Sequence, residues 1–170
     1  MDKLLEKLSS YNLLNNLIPG SFFCFLLYSI CSIDILSDSV VENLFIYYFI
    51  GMVLSRVGSI VIEPITKRVK LISYADYNDY IVASKKDKKI DILLETNNLY
   101  RTIAASGLLI IFVKLYTIAE RHLQALSYAT PFIIAGLLLV IFLLSFRKQT
   151  NYIRKRVEHA VRVEQKEDVE

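Results

Sequence analysis

Tryptophan is absent from these 170 residues; cysteine, methionine and histidine occur only twice each, proline three times and glycine five times. Two cysteines and two histidines set far apart cannot assemble the three or four nitrogen and sulfur ligands of a zinc site, so no metal and no other cofactor is expected. Cys24 and Cys31 lie seven apart on one helical face and cannot bridge within a single helix. Charge is scarce too, at 22% against 54% apolar residues, with a mean hydropathy of +0.42. That balance excludes an ordinary water-facing domain of this length.

What is present is a set of long apolar runs. Four approach or exceed the roughly 20 residues that cross a bilayer as helix: Pro19 to Leu36, Val41 to Ile65, Thr102 to Glu120 and Pro131 to Phe146. The last, "PFIIAGLLLVIFLLSF", has no polar face to show water. The fold expected is all-α, a membrane protein with four transmembrane helices whose last two extend as cytoplasmic helical stalks. Asp2 and Glu6 stand where a secretory leader would carry positive charge, so the first span is expected to stay as an anchor.

The chain divides by this pattern into an interfacial amphipathic helix (1–18), a first transmembrane hairpin (19–66), a cytoplasmic connection (67–101), a second hairpin (102–146) and a basic cytoplasmic helix (147–170). Leu4, Leu5, Leu8, Tyr11 and Leu14 recur at helical spacing in the first part, and Pro19 is read as turning the chain into the bilayer. Ser84 with Asp87 resembles a capping box opening a helix that runs on into the third span. All but three of the twenty basic residues, Arg56, Lys114 and Arg121, fall at the amino end, in the connection or in the tail. By the positive-inside rule those parts, and both termini, face the cytoplasm, beside the lipid of an inner membrane.

Charges within the apolar runs are the candidates for function. Arg56, Ser59 and Glu63 share a helical face, placing them either along a water-filled pore between subunits or at the inner headgroups. Gly51, Ser55 and Ser59 form a small-x-x-x-small row suited to close helix packing. Self-association into a ring-shaped homo-oligomer is the simple way to build a pore from so small a subunit. In the tail, "RKRVEH" spaces Arg154 and His159 as R-x-x-x-x-H, a pair chemically suited to metal-free RNA cleavage. On one helix the two point about 140° apart, so a catalytic site needs a second chain, and a solvated basic face accounts for them as well.

A small multi-span chain with a long basic tail carrying "RKRVEH" resembles the membrane accessory proteins of type VI-B CRISPR systems, which are encoded beside an RNA-guided RNA nuclease. That resemblance implies a divergent HEPN-type motif at Arg154 and His159 and a pore-forming effector of antiphage defence that depolarises the inner membrane. Its implied partners are membrane lipid, copies of itself, and an RNA-guided nuclease or RNA-derived signal. Lys155 stands where HEPN nucleases commonly carry Asn, Asp or His, and a lysine offers charge without an acceptor. The alternatives are a membrane-tethered HEPN-type ribonuclease and a non-catalytic membrane scaffold.

Overall fold

A computed structural model describes residues 2–167, with side chains described for 13–162. Its helices, in chain order, are α1 (Asp2–Cys31), α2 (Val40–Val57), a π-helical turn (Gly58–Ile62), α3 (Glu63–Arg68), α4 (Tyr77–Lys86), α5 (Lys89–His122) and α6 (Gln124–Glu167). Short polar side chains set several boundaries by taking N–H groups that a helix start leaves unpaired. Ser39 Oγ accepts from the Glu42 N–H at 3.4 Å, Asp76 Oδ1 from Asn78 at 2.8 Å and Asp87 Oδ1 from Lys89 at 2.9 Å. Lys70, in the left-handed region at φ 59°, closes α3 with a Schellman pair, Leu71 N–H to Thr66 O and Lys70 N–H to Lys67 O.

The core lies where α1, α2 and α5 meet, built from Phe23, Leu27, Cys31, Leu54 and Ile110. Two glycines allow α1 and α2 to touch along their backbones. A Cβ on Gly20 would overlap the Tyr47 carbonyl, and one on Gly51 would overlap that of Asn16. Lys114 Nζ on α5 donates to the Ile30 carbonyl at 2.6 Å, placing a cation against the negative end of α1.

α6 stands apart from this core. No residue of its most apolar 18-residue stretch is buried, and it meets α2 through a tilted Phe49–Phe142 pair, ring centroids 6.5 Å apart. Only Leu123 separates it from α5. The Tyr116 hydroxyl lies 2.7 Å from Thr130 Oγ1, and Thr130 donates to Glu120 at 3.2 Å, fixing that elbow.

Several expected boundaries move. Pro19 sits inside an unbroken α1 rather than at a turn. The helix expected to run on from Ser84 breaks at Asp87 and Lys88, because Asp87 takes the first N–H of α5. The amphipathic pattern of Leu4 to Tyr11 lies outside the described side chains. The second apolar run contains a π turn that its hydropathy did not reveal.

The membrane-ring expectation is corrected here. The fold is an all-α helical bundle with a buried charge cluster closed within one chain: Lys67, Arg101 and Lys148, counted above as marking a cytoplasmic face, close on Glu63 instead. The inner-membrane assignment with both termini cytoplasmic counted those cations as facing outward, and the pore reading placed Glu63 on an open polar face. With Glu63 buried and closed off by cations of its own chain, the pore, the ring with its stalks, the lipid and homo-oligomer partners and the membrane assignment are withdrawn. What stands is composition. Leu13–Cys31, Val40–Arg68, Lys89–His122 and Gln124–Arg162 are long and apolar enough to cross a membrane, a property that by itself assigns no location.

Candidate functional site

Glu63 is the one acid among the side chains lining a hollow of about 370 Å³ between α3 and α6. It follows directly on the π turn, whose wider winding re-aims the side chains beyond it. Buried to 6% exposure, its carboxylate needs partners, since an unpaired charge out of water is costly. Three cations from three helices supply them. Lys67 of α3 donates to Oε1 at 2.8 Å, while Arg101 of α5 and Lys148 of α6 reach Oε2 at 3.0 and 2.9 Å.

Each approach has a local cause. Lys67 stands one helical turn beyond Glu63, the i,i+4 spacing at which side chains meet. Arg101 passes over Gly58, where an added Cβ would sit 3.1 Å from the Arg101 carbonyl oxygen and 3.2 Å from its Cγ. Lys148 is held by the π turn as well, donating to the Ser59 carbonyl at 2.8 Å and to Ser59 Oγ at 2.7 Å. The Lys67 ammonium also rests 4.2 Å from the centroid of the Tyr74 ring.

Burial alone would raise the Glu63 carboxyl, but hydrogen bonds from Lys148 and Lys67, with their charges, outweigh it and hold the group below its ordinary value. The Glu63 hydrogen bond correspondingly raises Lys67. Burial, then the Glu63 charge, raises the Tyr152 phenol, so it remains an O–H donor at neutral pH. A carboxylate kept ionised by three cations is an acceptor and not a proton carrier. The arrangement can hold helices together and hold anions; it offers no poised acid or base.

The residues singled out in the sequence scatter around this centre. Glu63 and Ser59 belong to it, through Lys148. Arg56 is exposed and makes no ion pair among the described residues, lining a small second hollow with Lys148 and Tyr152. Gly51 packs on α1, and Ser55 is half-buried in α2. Arg154 lies 3.7 Å from Glu158, and His159 Nδ1 lies 2.9 Å from Asn78 Oδ1 on α4. The two motif residues thus have separate partners. The roles of Lys67, Arg101 and Lys148 are not legible in the sequence, where basic residues beside an apolar run read as headgroup contacts. Glu63, an acid within such a run seven residues after Arg56, is the signal that buried partners are needed.

Compared with known proteins, the chain matches no family model, no curated protein and no solved structure. The resemblance to CRISPR accessory proteins gains no support from these comparisons, and the pore-forming defence role attached to it is withdrawn with the membrane ring.

Proposed function

We propose that the protein works by binding, as a non-catalytic helical scaffold that presents α6 to the apolar surface of another protein. One observation carries this reading: the Glu63 latch fixes α6 to the bundle while leaving its apolar side chains uncovered, including Phe132, Leu137, Leu139 and Leu143. Exposed apolar patches this long mark interaction surfaces, and a helix already fixed in place loses little freedom when a partner docks. Photo-crosslinking in cells from a probe at Leu139 or Leu143 tests it. A discrete protein adduct at both positions, absent when the probe replaces the core residue Leu54, is the expected result. Adducts to lipid alone, or none, overturn the reading.

A further inference from the structure

The Glu63 cleft is oversupplied with positive charge. Around it and the adjoining hollow stand Lys67, Arg101, Lys148 and Arg56, against Glu63 as the one acid lining either space. The two hollows share Ser59, Ile60, Lys148 and Tyr152, so they adjoin along these side chains. Against the single Glu63 charge, Lys67, Arg101, Lys148 and Arg56 leave the two spaces net positive. Arg101 Nε is buried with no hydrogen-bond partner, and Arg56 faces the smaller hollow without a counter-ion among the described residues. The buried Nε is a donor in want of an acceptor, while the exposed Arg56 guanidinium can exchange water for an anion.

The walls suit a two-part ligand. Ile60, Pro64 and Leu144 give one side an apolar lining, while the Ser59 hydroxyl and the Tyr152 phenol border the cations. At about 370 Å³ the space falls at the lower end of the roughly 300–1,000 Å³ of small-molecule sites. Among biological anions a phosphate monoester matches best. Its double charge answers the surplus, and its oxygens accept from several lysine and arginine donors at once.

We infer that the cleft between α3 and α6, together with the smaller hollow that adjoins it at Lys148, is a binding site for a phosphomonoester, the phosphate lying at Lys148 between Lys67 of the larger space and Arg56 of the smaller, and the organic part against Ile60, Pro64 and Leu144. Glu63 then has a second role: it occupies the cations when the site is empty and competes with the incoming phosphate. Binding should loosen the grip of Lys148 on Glu63, which links the site to the setting of α6.

Titration of the purified full-length chain by calorimetry, with inorganic phosphate, glycerol 3-phosphate and short-chain phosphatidate, tests this. The last two separate a free metabolite from a lipid headgroup as the source of the same chemistry. Saturable binding is expected for at least one of the two monoesters, tighter than for inorganic phosphate and weakening with salt. Arg56→Ala, at an exposed position outside the latch, should keep the melting temperature and weaken binding at least about tenfold, as expected for the loss of one charge-assisted hydrogen bond. In Glu63→Gln the competitor is gone, so the bound monoester should raise the melting temperature by more than in the wild type, whatever the variant's own starting value. No saturable binding of either monoester, or binding indifferent to Arg56→Ala, or an equal or smaller thermal shift in Glu63→Gln, overturns the proposal.

Discussion

Glu63, 6% exposed, is held by Lys67 four residues on and by two cations 38 and 85 residues away, Arg101 on α5 and Lys148 on α6. Because its folded carboxyl titrates below the ordinary value of 4.5, the stability it contributes is fully present above that value and is lost as pH falls through the depressed one. Thermal unfolding should therefore hold level down to about pH 5 and decline below it, while Glu63→Gln should show a shallower acid decline. Lys67, raised above 10.5, acts with the opposite sign: its contribution fades only as pH climbs through that raised value. Glu63→Ala at neutral pH should cost about 3 kcal/mol, near the lower end for a broken buried pair because Lys67 and Lys148 regain water. In melting temperature that is roughly 6–12 °C for a chain of this size.

At the scale of elements, the contact of α1 with α2 depends on absent side chains. Gly51 is the clearest instance, with the Asn16 carbonyl where its Cβ would be. Gly51→Leu must separate two helices that carry much of the core, and overpacking of this kind costs about 1–3 kcal/mol or more. A lowered unfolding midpoint with α-helical circular dichroism retained is the expected outcome; an unchanged midpoint would show that the helices do not approach as described. Long apolar segments were legible because their residue type alone marks them, and scarce Pro and Gly left them unbroken. Their ends were less legible. Asp87 and Lys88 interrupt a run without any proline or glycine, and Pro19 sits within a helix that continues. The π turn at Gly58–Ile62 left no mark in hydropathy, since it adds a residue to a turn without altering which residues are apolar.

For the whole molecule, what sequence could not supply was pairing. Lys67, Arg101 and Lys148 carry no label saying whether they face water, headgroups or a distant acid, and assigning them outward makes them part of a cytoplasmic face. Assigned inward, they produce a bundle in which the π turn, α3, α5 and α6 meet around one carboxylate. The R-x-x-x-x-H motif failed for a related reason: spacing along one helix does not bring side chains together, and Arg154 and His159 found Glu158 and Asn78 instead. The same latch that orders the fold positions both α6 for its partner and the cleft for its anion, so both functional readings rest on it.

A double-mutant cycle between Glu63 and Lys148, measured by equilibrium unfolding of wild type, Glu63→Gln, Lys148→Met and the double variant, addresses that latch directly. Direct contact at 2.9 Å predicts a coupling between about 1 and 3 kcal/mol. Single-variant effects that add to within about 0.5 kcal/mol would contradict it, and would mean that Glu63 does not hold α6.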